Sequence, residues 1–170
     1  MSKIKKLLNY IFIDDAIKAD IEFLKGVSIF SHLNDRALAK IALIIFKKNY
    51  MTGEQIYKPN QEANVLYIVK KGEVLVKNQR VDKTVGEGDF FGEISLLENR
   101  RHDSVASALK DSELYLIYRV KFDDMADSNA KVGLRIMKNI SSILETRLKC
   151  SEQVLPQPEQ KQENNDRSVK

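Results

Sequence analysis

Between Gly86 and Ser107 the chain reads Gly-Glu-Gly-Asp-Phe-Phe-Gly-Glu-Ile-Ser-Leu-Leu-Glu-Asn-Arg-Arg-His-Asp-Ser-Val-Ala-Ser. The spacing predicts a short turn or helix start over Gly92 to Leu97, emerging from a strand. The first N–H groups of such a turn, those of Ile94 and Ser95, have no partner within it. Unpaired N–H groups at a positive helix end make an anion site. Glu93 sits beside them as a hydrogen-bond acceptor. Arg101 follows before the next strand, and a guanidinium can grip an anionic oxygen with two parallel donors. An acceptor carboxylate next to an anion clamp suits a ligand that carries both hydroxyl and phosphate, such as a ribose phosphate.

The residue types for other chemistries are missing from the sequence. There are two histidines, His32 and His102, too few for a clustered metal site of His and carboxylates. His102 reads as an exposed loop residue. The single cysteine, Cys150, has no His near it in sequence to activate it, and no Gly-rich Walker-type loop occurs. The reading is therefore of a binding protein rather than an enzyme, with no metal and no cofactor beyond the ligand itself.

The elements that must hold this stretch fall into three zones. Up to about residue 50 the apolar residues recur at helical spacing, with Leu38, Ile41, Ala42 and Ile45 on one stripe and Asn34 as the N-cap before Asp35. From 51 to 118 the period changes. Five of the seven glycines fall here, and short apolar runs such as Val65–Val69, Val74–Val76, Val105–Leu109 and Leu114–Tyr118 lie between turn signals. That pattern predicts an all-β sandwich or barrel. The third zone returns to helix. Val132, Ile136, Met137, Ile140, Ile143, Leu144 and Leu148 share one face over about five turns. Such a face either packs on the β domain or forms a homodimer seam, since coiled-coil pairs use similar spacing. Residues 151–170 are polar and Gln-rich and predict a disordered tail.

Composition bounds the function classes. The chain has 170 residues, 43% hydrophobic and 31% charged, which excludes collagen, wholly disordered chains and disulfide scaffolds. One cysteine excludes an internal disulfide and fits a reducing, cytoplasmic setting. The net charge is +4, but residues 1–50 carry nine basic against five acidic side chains while residues 51–150 carry sixteen against fifteen. No basic stripe crosses the body, which argues against nucleic acid as a partner. At the N-terminus Ile4, Leu7, Leu8 and Ile11 predict an amphipathic helix, with a membrane-surface anchor as the other use of such a face. The apolar run is far short of the ~20 residues of a membrane span.

The stretch Gly88-Asp-Phe-Phe-Gly-Glu-Ile-Ser-Leu96, followed by Arg101 and Ser104-Val105, resembles the phosphate-binding cassette of the cyclic nucleotide-binding domain family. The flanks agree. Val65 to Val76 looks like the family's strand, Gly turn and strand, and Gly53-Glu with Ile56 looks like its first hairpin. Phe122 and the 129–148 helix look like its closing helices. The resemblance covers about residues 30 to 148. It implies a mainly β fold, a β-roll of the jelly-roll type (a double-stranded β-helix) flanked by N-terminal and C-terminal helices. The division is then a helical extension over 1–32, a nucleotide-binding domain over 33–150, and the tail. Carried over by position, Glu93 would bind the ribose 2′-hydroxyl and Gly92 would allow close backbone approach. The Ile94 and Ser95 amides with Arg101 would hold the cyclic phosphate, Ser104 would bond the phosphate or base edge, and Val74 and Val85 would line the base pocket. The 129–148 helix would be a mobile lid.

Three positions depart from the family pattern. The segment from Glu93 to Arg101 is one residue short, with Arg100 in place of the usual Pro. Both arginines are thus candidates for the phosphate, and the Arg-x-x-Ser spacing favours Arg101. Asp103 stands where a small residue is usual. A carboxylate ~4 Å from a phosphate costs about 4 kcal/mol at an effective dielectric near 20. Pointing outward it is screened, and pointing inward it pairs with Arg101. Asn60 replaces a turn glycine, a mild change because Asn tolerates the left-handed region. The expected function is a non-enzymatic sensor of cAMP or cGMP that signals by helix rearrangement to a separate effector protein. The alternative is a β-roll that has lost its ligand and serves as a protein-interaction module. A DNA-binding output is not expected, because the ~20 residues after the last helix are too few for a helix-turn-helix.

Overall fold

The computed structural model describes residues 15–78 and 82–154. The N-terminal amphipathic stripe from Ile4 to Ile11 and the tail beyond Val154 lie outside the described residues. Residues 15–25 are helical (α1), and a 3-10 turn spans Ser28–Phe30. Helix α2 covers Asp35–Ala42. Ten strands follow: β1 Ile45–Tyr50, β2 Gln55–Tyr57, β3 Glu62–Ala63, β4 Val65–Lys71, β5 Val74–Lys77, β6 Asp82–Val85, β7 Phe90–Phe91, β8 Arg100–Arg101, β9 Val105–Ala108 and β10 Ser112–Tyr118. A 3-10 turn over Glu93–Leu96 separates β7 from β8. Helices α3, Arg119–Ser128, and α4, Ala130–Val154, close the fold.

The strands pair antiparallel throughout, in sheets ordered β1-β10-β4-β7 and β2-β9-β5-β6, with β3 and β8 as a separate ribbon. This is the β-roll with flanking helices that the resemblance implies. The two uninterrupted apolar runs become the central strands β4 and β10, because both of their faces are covered. Val65, Tyr67, Val69, Leu114 and Leu116 point into the roll. Leu66, Ile68, Tyr115 and Ile117 point the other way, onto the helices. Each such side chain contributes about 1.5–3 kcal/mol through burial, so the first sheet is stabilised from both sides.

The helix layer draws on both helical zones. Leu24, Val27, Ile29 and Phe30 from the N-terminal segment meet Leu38, Ile41, Phe122, Ile136 and Ile140 in one core. Asp20 of α1 is buried at 6% exposure and accepts from the Tyr115 hydroxyl (2.6 Å) and the Lys47 ammonium (2.8 Å). Burial and the adjacent Asp20 carboxylate push the Tyr115 hydroxyl above the usual tyrosine range. Asn139 of α4 donates to the Ile29 and Ser31 carbonyls at 2.9 and 3.0 Å, tying the last helix to the first turn. Helices α3 and α4 cross closely at Gly133, where a Cβ would stand 2.7 Å from that of Ala126.

Three expectations change. Asn34 does cap α2, accepting from the Ala37 N–H at 2.9 Å, but the helix stops at Ala42. Ile45, expected on its stripe, begins β1 instead, where six residues pair with β10. The cross-strand partners satisfy the backbone as fully as another helical turn would, and the β-branched and aromatic residues from Ile44 to Phe46 favour the strand. The apolar face of α4 packs on the domain from Val132 to Leu144, while Leu148 stays 62% exposed. The same helix runs on to Val154, so residues 151–154, expected in the disordered tail, are helical.

Candidate functional site

The Gly86–Ser107 stretch is positioned by β4. Gly88 takes a positive φ of 82° and donates to the Val69 carbonyl, and the Val69 N–H returns a bond to Asp89, each at 2.9 Å. Strand β7 then pairs with β4, placing Phe90 on the helix side and Phe91 inside the roll, stacked on Tyr67 with 4.9 Å between centroids. Gly92 turns the chain with φ 74°, and a Cβ there would stand 2.8 Å from the Val65 carbonyl. The close approach that requires glycine is to the neighbouring strand.

The turn Glu93–Leu96 carries the acceptor and the amides. Glu93 is 8% exposed and Ser95 only 1%. The Ser95 N–H donates to the Gly92 carbonyl at 3.1 Å, and its hydroxyl donates to the same oxygen at 2.6 Å. The expectation of an unpaired Ser95 amide is thereby corrected, because a 3-10 turn closes its hydrogen bond one residue sooner than an α-helix. The Ile94 N–H has no backbone acceptor among the described residues.

The arginines sit on β8, paired with β3 as Glu62↔Arg101 and Ala63↔Arg100. Arg101 donates to the Asn60 carbonyl at 2.6 Å, and Asn60 adopts the left-handed φ of 65° that its replacement of glycine requires. Arg100 pairs with Asp103 at 3.2 Å and Glu98 at 3.4 Å. Asp103 is thus drawn to Arg100 rather than Arg101, with its side chain 71% exposed.

His102 is not the exposed loop residue expected. It is 9% exposed, because its backbone bonds Asn60 and Gln61 while its ring stacks on Tyr57 at 3.7 Å and 7°. Burial holds its imidazole below the usual histidine range, with Arg100 acting in the same direction and Asp103 against it. Ser104 lies 3.3 Å from the Tyr57 hydroxyl. Burial pushes that hydroxyl up, and the Ser104 contact partly offsets it.

These groups line one cavity of about 260 Å³, with Gly92, Glu93, Ile94 and Ser95 along one wall and Arg100 to Ser104 along another. That is near the lower end of small-molecule pockets, roughly 300 Å³. Val74 and Val85 are fully buried cross-strand partners and are not among its lining residues. The next in-register pair on the same face, Val76 and Lys83, lines it instead.

Sequence reasoning missed Lys83, Tyr57 and above all Arg147. Arg147 reaches from α4 to form an ion pair with Glu93 Oε1, and its guanidinium carbon lies 4.8 Å from the centre of the Phe90 ring. A signal existed, since Arg147 follows Ile140 by seven residues and Ile143 by four and so lies on the helix's apolar stripe.

The chain is similar to known proteins. The family model of the cyclic nucleotide-binding domain matches residues 47–129. A cGMP-dependent protein kinase of Toxoplasma gondii is 29% identical over 104 residues, covering 60% of this chain and 10% of the kinase. A cAMP-dependent protein kinase regulatory subunit of Candida albicans is 27% identical over 90 residues, covering 52% of this chain and 20% of the subunit. The chain therefore spans only a minor part of the curated relatives it matches. Among solved structures, a Geobacter metallireducens GS-15 protein described as cyclic nucleotide-binding is 30% identical with a TM-score of 0.65, covering 75% of this chain and 96% of that one. With its roll, its Gly-Asp-Phe-Phe-Gly-Glu turn and these relatives in agreement, the chain belongs to the cyclic nucleotide-binding domain family.

Proposed function

We propose that the cavity binds a cyclic mononucleotide, cAMP or cGMP, and that this chain is a non-enzymatic sensor which passes occupancy to a separate effector protein through α4. The observation that carries the reading is the Glu93–Arg147 pair. One nearly buried carboxylate faces the cavity and at the same time anchors the last helix. Arg147 engages Oε1, and Oε2 has no side-chain partner among the described residues. A ribose 2′-hydroxyl donates to Oε2, while the cyclic phosphate meets the Ile94 N–H, Ser104 and the β8 arginines. The kinase relatives, a cGMP-dependent kinase and the regulatory subunit of a cAMP-dependent one, support a cyclic nucleotide as the ligand class.

Thermal unfolding with and without millimolar nucleotide tests this. A ligand of the native state at a hundred times its Kd stabilises by about 2.7 kcal/mol. Glu93→Ala and Arg101→Ala should each abolish most of that shift, and wild-type titration curves for both would sink the assignment. A second reading, a roll that binds no nucleotide and serves as a protein-interaction module, draws on the donors already in use. Arg101 is bonded to Asn60, the Ser95 N–H to Gly92, and Asp103 lines the cavity. It predicts no shift with either nucleotide.

A further inference from the structure

Resting on that reading, we propose that His102 is a proton-linked ligand of the cyclic phosphate, its imidazole taking up a proton as the phosphate arrives, so that the site binds more tightly as pH falls. The backbone of His102 is already committed. Its N–H donates to the Gln61 carbonyl at 2.9 Å, and its carbonyl accepts from the Asn60 N–H at 2.8 Å. What the residue can offer a ligand is its side chain, and it lines the cavity between the β8 arginines and Ser104. The ring lies flat on Tyr57, with 3.7 Å between centroids and 7° between planes, so that one face is covered. Its nitrogens make no hydrogen bond among the described residues. No buried side-chain nitrogen or oxygen there lacks a partner, so the edge of this ring opens to solvent.

The charged groups around the ring are engaged elsewhere. Asp103 and Arg100, beside it in the chain, pair with each other at 3.2 Å. Glu93, in the turn after β7, pairs with Arg147 of α4. Arg101 donates to the Asn60 carbonyl, its strand partner Glu62 on β3 is exposed, and Lys83 of β6 lines the cavity. Tyr57 of β2 keeps its proton, because burial pushes its hydroxyl up. Burial holds the imidazole below the usual histidine range, opposed by Asp103 and aided by Arg100, so without ligand it is neutral at pH 7. A cyclic phosphodiester is a strong acid and arrives as a monoanion. An anion within reach favours the imidazolium, and a cation over a tyrosine face is itself favourable. The ligand therefore raises the proton affinity of His102, and by reciprocity the proton raises the affinity for ligand. Affinity is flat above the ligand-bound value, climbs as pH falls through it, and levels off below the free value, which lies under about 6.5.

The experiment is calorimetric titration of wild type and His102→Phe with cAMP and cGMP between about pH 5 and about pH 8, each in buffers of low and high ionisation enthalpy. Wild type should bind whichever nucleotide it takes about tenfold more tightly at the acid end, as one charge-assisted hydrogen bond implies. The buffer dependence of the heat should report uptake of a fraction of a proton per ligand, largest near about pH 6. His102→Phe keeps a ring against Tyr57 and should lose both the gain and the uptake. The proton count comes from wild type alone and stands whether or not the variant folds. Wild-type affinity that is flat with pH, or binding without proton uptake, would overturn the assignment. So would a gain undiminished in His102→Phe, which places the proton on another group of the cavity. Failure of both nucleotides to bind wild type at any pH would instead refute the nucleotide reading on which this one stands.

Discussion

Replacing Arg147 by Met should separate the proposed nucleotide binding from its transmission to α4. The Glu93 carboxylate is 10% exposed and the Arg147 side chain 36% exposed, so the pair is neither a surface salt bridge nor a fully buried one. Exposed pairs are worth about 0.2–1 kcal/mol, and breaking a buried one costs about 3–5 kcal/mol. With solvent reaching the guanidinium, a coupling of about 1–2 kcal/mol is expected between positions 93 and 147. The contact with Phe90 adds about 0.5–1 kcal/mol at a partly exposed site. For a chain of this length about 1 kcal/mol moves the unfolding midpoint by about 2–4 °C. Arg147→Met should therefore unfold some degrees below wild type. A cycle with Glu93→Gln isolates the pair from the Phe90 contact.

The decisive measurement is amide hydrogen exchange along α4 with and without nucleotide. In the proposed binding mode the ligand and Arg147 share one carboxylate, so occupancy of wild type should slow exchange in the last turns of the helix, around residues 144–150. In Arg147→Met the nucleotide should still bind through the cassette, within about tenfold of wild type, since one charged hydrogen bond is the most that is removed. Its protection of α4 should disappear. Undiminished protection in the variant would refute the claim that Glu93 is the link between ligand and helix. So would a coupling near zero in the cycle.

Two further predictions concern the frame. Gly92→Ala places a Cβ 2.8 Å from the Val65 carbonyl at a φ of 74°. The left-handed conformation alone costs about 1–2 kcal/mol, and the clash adds to it. A urea midpoint shift equivalent to less than about 0.5 kcal/mol would show that the turn relaxes freely. His102, held below the usual histidine range by burial, binds its proton more readily in the unfolded chain. Stability therefore rises with pH through the window between its folded and unfolded values and falls as pH drops below about 6.5. His102→Phe, which keeps the stack on Tyr57, should flatten that slope in unfolding curves between pH 5 and 7. An unchanged slope would show that the imidazole does not titrate out of the stack.

What the sequence made legible follows from how local each feature is. The cassette turn is contiguous, and its Gly-Asp-Phe-Phe-Gly-Glu order carries its own geometry, so Glu93 and the turn after Gly92 were readable. Strands β4 and β10 were readable because burial on both faces writes an uninterrupted apolar run. Depth within the roll was not readable. Val74 and Val76 share one face of β5, and only the sheet above decides that Val74 and Val85 lie under the core while Val76 and Lys83 meet the cavity. The burial of His102 depends on Tyr57, 45 residues earlier, whose ring it meets only once β3 and β8 have paired. Arg147 was visible as a charge on an apolar stripe, but its partner lies 54 residues away in sequence.

The position of the cassette bears on how the proposed coupling of a ligand to α4 through Glu93 would work. Phe90 and Phe91 are adjacent in β7 and point into different cores, one under the helices and one inside the roll. The Glu93 turn begins two residues later, where the two cores meet. Its surroundings resist motion, because β4 is buried on both faces and Gly92 is packed against Val65 and Tyr67. On the helix side the resistance is uneven. Ile136 and Ile140 of α4 are fully buried, and Asn139 is bonded to the Ile29 and Ser31 carbonyls. Beyond Leu144 the helix leaves the core, Leu148 is largely exposed, and Arg147 ties that part of the helix to the roll through Glu93 and Phe90. A change at Glu93 should therefore be absorbed at the C-terminal end of α4, where it acts directly on the Arg147 ion pair and ring contact, while displacement of the helix around Ile136 and Ile140 opens a packed core. The output of ligand binding should appear as a change in the position or order of residues 145–154, with α1, α2 and the roll unmoved.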